Sequence, residues 1–292
     1  MTAESAGCES TAGSGHPRVP DLFVTGNIPV PPGIPLGPDP MAGIGVVVPY
    51  DMSLDRELWR WTPSDASLFL TRTPDELLPV TMEMVEKISD KELVRTTAQS
   101  LRSVHASCFA YACTSGSFVR GLGGERDIVD AMKSAGAPEA VTTSGAILEA
   151  LAHLDIHRVA IATPYDEPIT TRFEAFLNEA GIEVVGAAYL NLRLDIRVVP
   201  YYRTAELVRA ADTAEAEAIV IACTNLPTYD LITPLEADIG KPVISANQAT
   251  MWAALNRCGL GAVGPGQRLL AIAEALESDG ISPPTGTLRA VE

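Results

Sequence analysis

The chain has 292 residues, 47% of them apolar and 20% charged, with a formal net charge of −16, which is enough for about two domains, or one domain of two lobes. The excess of acid argues against nucleic acid and anionic membrane as partners, because both reward clustered Lys and Arg. No apolar run reaches the roughly 18 residues of a membrane span. No basic-then-apolar leader opens the chain, so a cytoplasmic protein is expected.

Residues 1–40 stand apart. Pro17, Pro20, Pro29, Pro31, Pro32, Pro35, Pro38 and Pro40 fix φ and remove backbone donors, which suits an extended arm. Such an arm either wraps a neighbouring subunit of a homo-oligomer or trails as a loose tail. From Gly43 short β-branched runs alternate with longer helix-period segments. Strands are expected at Ile44–Val48, Ser67–Thr71, Ala106–Ala112, Ala140–Thr142, Arg158–Thr163, Glu183–Tyr189, Ala218–Ala222 and Pro242–Ser245. Helices are expected at Leu54–Trp61, Pro79–Arg102, Arg126–Ser134, Ser144–His153, Pro168–Ala180, Thr204–Ala211, Leu231–Asp238 and Asn247–Arg257. Ser144 reads as an N-cap, and Gly136, Gly181 and Gly259 lie just past helix ends.

Regular alternation of strand and helix predicts an α/β fold with parallel sheets covered on both faces. Val48-Pro49-Tyr50 ends the first strand of one run and Thr163-Pro164-Tyr165 the first strand of the next. The expectation is two pseudo-symmetric lobes, each a four-stranded parallel sheet with helices, over residues 41–146 and 147–246. The helix region 247–277 would return to the first lobe, and residues 278–292 form a second loose tail.

The same device appears twice. Ala112-Cys113-Thr114-Ser115 and Ala222-Cys223-Thr224-Asn225 each follow a buried-strand pattern, so each puts a cysteine at the C-terminal end of a strand, where open α/β sheets bind ligands. Two such thiols across a cleft could remove a proton from one face of a carbon and return it from the other. One thiolate could instead add to a polarised double bond, permit rotation and leave. Both routes call for a lowered thiol pKa, which helix N-termini and convergent N–H groups can supply. Both also call for donors around a carboxylate or its enediolate, and Thr114, Ser115 and Thr224 are of the right type. Tyr165 could add a phenol or be a turn aromatic.

The remaining candidates have plainer readings. Cys108 and Cys258 pack, as buried cysteines do, and Cys8 receives no role. Five scattered cysteines without a CxxC, and four histidines without an HExxH, offer neither a disulfide framework nor a metal site. His153 and His157 straddle a helix end and a strand start. Gly121-Leu122-Gly123-Gly124 is not a dinucleotide fingerprint. Met82, Met84 and Val85 cover a core, and Asp90, Lys91 and Glu92 form a solvated face.

With Tyr111-Ala112-Cys113-Thr114-Ser115, Ala162-Thr163-Pro164-Tyr165, Ala222-Cys223-Thr224 and Gly240-Lys241-Pro242-Val243, the chain resembles the aspartate/glutamate racemase superfamily from about Gly43 to Gly261. The likeness is to its branch of maleate cis-trans isomerases, arylmalonate decarboxylases and ectoine-utilisation isomerase-like proteins. The resemblance implies catalytic roles for Cys113 and Cys223 and a carboxylate cradle of Thr114, Ser115, Tyr165 and the backbone at Thr224. It implies a substrate-facing loop at Pro49, Tyr50 and Asp51, and no cofactor or metal. The asparagines that maleate isomerases carry after the first and sixth strands are not found at Pro49–Ser53 or around Asp195-Ile196-Arg197, and both loops are closer to the ectoine-utilisation proteins. Arylmalonate decarboxylases have glycine in place of Cys113. The expected function is a cofactor-independent isomerase, cis-trans isomerase or racemase, of a small carboxylate or dicarboxylate. The alternatives are a decarboxylase with Cys223 as proton donor and a non-catalytic carboxylate binder.

Overall fold

The computed structural model describes residues 41–271. The first half begins with β1 (Ala42–Val48), α1 (Asp55–Arg60) and β2 (Ala66–Arg72). It continues through α2 (Met82–Ile88), α3 (Lys91–Ala98), a 3-10 turn at Gln99–Val104 and β3 (Cys108–Tyr111). It closes with α4 (Thr114–Phe118), α5 (Gly121–Ser134), β4 (Glu139–Thr142) and α6 (Thr143–His153). The second half contains β5 (Arg158–Thr163), α7 (Glu167–Glu179), β6 (Glu183–Tyr189) and α8 (Tyr201–Ala211). After these come β7 (Ala218–Ile221), α9 (Ile232–Ile239), β8 (Val243–Ser245) and α10 (Ala246–Arg257).

Both sheets are parallel throughout, and both have the same strand order, β2-β1-β3-β4 and β6-β5-β7-β8. The repeat in strand order gives physical form to the internal duplication. The central strands β3 and β7 are buried at every residue, which is why their sequences are apolar without alternation. The outer strand β6 is half-exposed along most of its length. α10 packs back on α6, β3 and β4, so the last long helix returns to the first sheet. Phe118 of α4 lies against Phe173 of α7 (ring centroids 5.0 Å apart) and against Tyr165 (6.4 Å), and this aromatic cluster joins the halves behind the strand ends.

Several expectations are corrected. The single helix over Pro79–Arg102 is two helices and a 3-10 turn. The chain breaks at Ser89-Asp90, where the Asp90 carboxylate accepts the Leu93 N–H at 2.9 Å and starts α3. The cap of α6 is Thr142, which accepts the Gly145 N–H at 3.0 Å, not Ser144. The expected boundary between residues 146 and 147 falls within α6 (Thr143–His153), which packs on β4 and α10. The one-turn α4 was not anticipated. The arm at 1–40, Cys8 and the tail at 278–292 lie outside the described residues.

No helix among the described residues is long and apolar enough to cross a membrane. Nor, among those residues, do three His, Cys, Asp or Glu side chains gather as metal ligands.

Gly186 sits where the β5–β6 register shifts, and a Cβ there would collide with the Ala211 carbonyl and come within 2.8 Å of Thr213. The obstacle is backbone and cannot rotate away. Gly186→Ala is therefore expected to lower stability by about 1–3 kcal/mol, read as a lower midpoint in chemical denaturation; an unchanged midpoint would contradict the close approach.

Candidate active site

The two cysteines are delivered by equivalent strands and held by different means. Cys113 follows the end of β3 and caps α4, its Sγ accepting the Gly116 N–H at 3.4 Å. Glycine is required at 116, since a Cβ would come within 2.5 Å of the Tyr111 hydroxyl and 3.1 Å of the Cys113 sulfur. Tyr111 is fixed in turn by donating its hydroxyl to the Ile88 carbonyl at 2.6 Å. Cys223 follows the end of β7 in left-handed backbone, φ 83°, a conformation that an L side chain adopts only when its surroundings enforce it. The Cys223 N–H donates to Thr114 Oγ1 at 3.2 Å, and Cys223 Sγ accepts the Asn225 N–H at 3.4 Å.

These groups meet in one pocket at the C-terminal ends of the strands. It is lined by Pro49, Asp51, Cys113, Thr114, Ser115, Tyr165, Cys223, Thr224 and Asn225, with Val80, Met84, Ile88 and Ile196 as its apolar wall. The Tyr165 phenol is buried and faces the Cys223 thiol and the Ser115 hydroxyl. Ser115 Oγ lies 4.0 Å from Cys113 Sγ. A second, wider pocket of about 130 Å³ is lined by Asp51, Leu78, Val80, Arg193, Leu194, Asp195, Ile196, Arg197 and Asn225. Asp51, Val80, Ile196 and Asn225 border both.

Of the residues singled out in the sequence, only Tyr50 does not reach the pocket. Its hydroxyl donates to the Leu78 carbonyl at 3.0 Å and accepts the Leu78 N–H at 3.2 Å, so it ties down the following segment instead. Met84, read as core, lines the pocket; helical spacing is the same for a residue facing a core and one facing a buried site. Ile196 occupies wall where an asparagine had been sought.

Sequence reasoning also missed the groups that fasten the loops around the pocket to each other. Asn225 reaches from the second half to the first, its Nδ2 donating to the Asp51 carbonyl at 3.0 Å and its Oδ1 accepting the Ser53 N–H at 3.1 Å. Glu57 of α1 is buried, and it accepts the Thr228 N–H and hydroxyl and one Asn247 amide hydrogen, at 2.9–3.3 Å. Asn247 Nδ2 also donates to the Thr224 carbonyl at 2.9 Å. Burial raises the Glu57 pKa, and these donors oppose that.

Burial dominates the thiols as well. It pushes Cys113 up to about 11, against the Gly116 N–H and the Ser115 hydroxyl, which pull down. It pushes Cys223 up to about 12, against the Asn225 N–H and the Tyr165 phenol. The Asp51 carboxylate adds to the rise in both. The lowered thiol pKa anticipated from strand-end amides is thus not supplied by the fold: one backbone donor at each sulfur does not offset the loss of water. Burial alone is enough to raise Asp51.

The sign of the pH dependence follows. A thiol whose folded pKa lies above its ordinary 9.0 stabilises the fold fully below 9.0, and that contribution is lost as pH rises toward 11 and 12. Without ligand, alkylation of Cys113 and Cys223 should keep accelerating by about tenfold per pH unit past the ordinary thiol value. Peptide mass spectrometry after timed iodoacetamide labelling checks this; a plateau below pH 9.0 for both thiols would contradict it.

Comparison with known proteins gives one consistent answer. The sequence pattern of the arylmalonate decarboxylase family matches residues 77–271. The arylmalonate decarboxylase of Bordetella bronchiseptica is 32% identical over 176 residues, 59% of this chain and 73% of that protein. A double mutant of arylmalonate decarboxylase, solved in its liganded form, superposes with a TM-score of 0.72 at 29% identity, over 79% of this chain and 99% of the other. A variant of the maleate isomerase of Pseudomonas putida S16, solved with maleate, superposes with a TM-score of 0.71 at 25% identity, over 79% and 98%.

Proposed function

The chain belongs to the arylmalonate decarboxylase family, which its fold and sequence share with the maleate isomerases, and we propose that within it this protein is a cofactor-independent isomerase of a small carboxylate. The observation that carries the reading is the pair of buried thiols, Cys113 and Cys223, at equivalent strand ends of a duplicated fold and lining one pocket. A decarboxylase that only protonates an enediolate needs one such group. Two are what a reaction needs when it works on both faces of a carbon, or adds and later expels a nucleophile.

In this reading Thr114, Ser115, Tyr165 and the backbone at Thr224 hold the substrate carboxylate. Their hydroxyls and N–H groups are fixed before substrate arrives, so they stabilise the charge that builds on the carboxylate oxygens as an enediolate forms. For racemisation, one cysteine as thiolate takes the proton from the carbon next to the carboxylate. The other, as thiol, returns a proton to the opposite face. For cis-trans isomerisation, the thiolate forms a C–S bond to one alkene carbon while the electron pair moves onto the carboxylate side, where the second thiol can protonate it. Rotation about the resulting single bond, return of that proton and cleavage of the C–S bond then release the trans isomer. Atoms balance in both routes with no redox partner. The maleate held by the Pseudomonas putida S16 enzyme supports a small unsaturated carboxylate as the first substrate class to try.

A second reading has its own support. The 32% identity to an arylmalonate decarboxylase favours loss of carbon dioxide from a substituted malonate, with Cys223 as the proton donor.

Three substrates in deuterated water separate the readings by NMR: maleate, a chiral 2-aryl propanoate and a 2-aryl malonate. Isomerisation of maleate, or exchange of the α-proton of the propanoate for deuterium, supports the two-thiol isomerase; carbon dioxide release from the malonate with neither of these, its product carrying one deuterium at the newly protonated carbon, supports the decarboxylase. Cys113→Gly should lower isomerisation or racemisation by about 10²–10⁴-fold, the span for removing a proton-transfer group, while leaving carboxylate binding intact. Cys223→Ala should lower every activity by a similar factor. A Cys113→Gly enzyme that isomerises at the parent rate would sink the two-thiol mechanism.

A further inference from the structure

Asp51 is a charged group in a place where a site for two carboxylates would not want one. It borders both the cysteine pocket and the wider pocket outside it, so it stands where the far end of a substrate would lie once its carboxylate is in the cradle. Its backbone is pinned: Asn225 Nδ2 donates to the Asp51 carbonyl at 3.0 Å, and the Met52 N–H closes a turn on the Pro49 carbonyl at 3.1 Å. The side chain therefore cannot retreat with its loop. Yet among the described residues no side chain donates a hydrogen bond to this carboxylate, and none pairs with it as a cation. Its one donor is its own backbone N–H. The guanidiniums that line the wider pocket are engaged elsewhere, Arg193 with Asp166 at 3.4 Å and Arg197 with Asp195 at 3.7 Å.

A half-buried carboxylate without a partner is destabilising, and a second substrate carboxylate beside it would make the site worse by like-charge repulsion. A cation would repair it. We propose that Asp51 receives a positively charged group carried by the substrate on the side remote from its reacting carboxylate, so that the substrate is a small carboxylate with an ammonium-type tail and not a dicarboxylate. The proposal rests on the reading of the cysteine pocket as a carboxylate site. It also gives the substrate a part in its own activation. Asp51 is a charge that opposes thiolate formation at both Cys113 and Cys223, and a bound cation cancels that field. Burial remains the larger effect on both thiols, so the bound cation eases thiolate formation by the share that Asp51 contributes.

The test is calorimetric titration of the full chain with matched ligands that differ only at the far end: 4-aminobutanoate, pentanoate and glutarate, with the shorter set 3-aminopropanoate, butanoate and succinate. The wild-type protein should bind the amino member of a set at least about tenfold tighter than the methyl member, as expected for a charge-assisted hydrogen bond, and the dicarboxylate weakest. Asp51→Asn, close to isosteric, should lose the preference for the ammonium while still binding the methyl member. Ultraviolet absorbance titrated against pH should place the thiolate transition of wild type lower with the amino ligand than with the methyl one, and Asp51→Asn should show no such difference. Ser115→Ala should weaken all members alike, because Ser115 belongs to the end of the pocket that holds the carboxylate they share and not to the wider pocket beyond it. Equal binding of amino and methyl members, with Ser115→Ala still weakening both, overturns the role of Asp51 and leaves the cradle standing. Tightest binding of the dicarboxylate overturns it too, since Asp51 would then be a protonated donor. No binding by any carboxylate removes the underlying reading and the proposal together.

Discussion

The buried hydrogen bond from the Cys223 N–H to Thr114 Oγ1 is the contact on which the rest of the site depends. It runs from the second half of a duplicated fold to the first, between residues next to each other in space and 109 apart in sequence. Cys223 occupies left-handed backbone, a conformation that costs on the order of 1–3 kcal/mol for a non-glycine residue. That strain persists because the Thr114 hydroxyl takes the Cys223 N–H and the Asn225 N–H meets the sulfur. Take Thr114 away and the turn can relax toward ordinary φ, carrying the thiol out of line with Cys113. The Thr that follows Cys113 is therefore a hinge pin between halves as well as a candidate donor to substrate.

Two further latches reinforce the same seam. Asn225 grips the loop after β1 through Asp51 and Ser53, and Glu57 grips the loop after β7 through Thr228, with Asn247 shared between Glu57 and the Thr224 carbonyl. Each latch joins a side chain of one half to backbone of the other. Backbone groups at strand ends have no sheet partner, so something must satisfy them, and here each half does it for its neighbour. Placing the thiols and joining the halves are one structural problem with one solution.

The fold was legible because its signals are local. β5 and β6 are bounded in the sequence as they are in space, since apolar β-branched runs between helix periods leave little choice. The two cysteine strings were legible because they repeat. What failed was competition between adjacent signals: the Pro79–Arg102 run keeps a helical period across Ser89-Asp90, and nothing in the period says that Asp90 will restart the helix with its own side chain. Thr142 and Ser144 are both good caps two residues apart, and only the end of β4 decides between them. The site was legible at its thiols and hydroxyls and opaque at its supports. Glu57 meets Thr228 across 171 residues and Asn247 across 190, and a carboxylate early in an amphipathic helix carries no mark of such a partner. Met84 and Ile196 were hidden for the opposite reason, because an apolar residue facing a pocket obeys the same pattern as one facing a core.

The duplication is also broken where it matters. Cys113 sits in extended backbone at the start of a helix, held by a local turn whose glycine leaves room for the sulfur. Cys223 sits in left-handed backbone, held by contacts from the other half. Cys113 faces Tyr111, whose hydroxyl is committed to the Ile88 carbonyl, whereas Cys223 faces Tyr165, which also meets Ser115. Strict symmetry would give two interchangeable thiols. A reaction that takes a proton on one face and gives one on the other needs them distinct at any instant, one ionised and one not. Burial raises both thiols, so in the proposed two-thiol reaction that distinction comes with the substrate, and the unequal surroundings of the two sulfurs give it a direction.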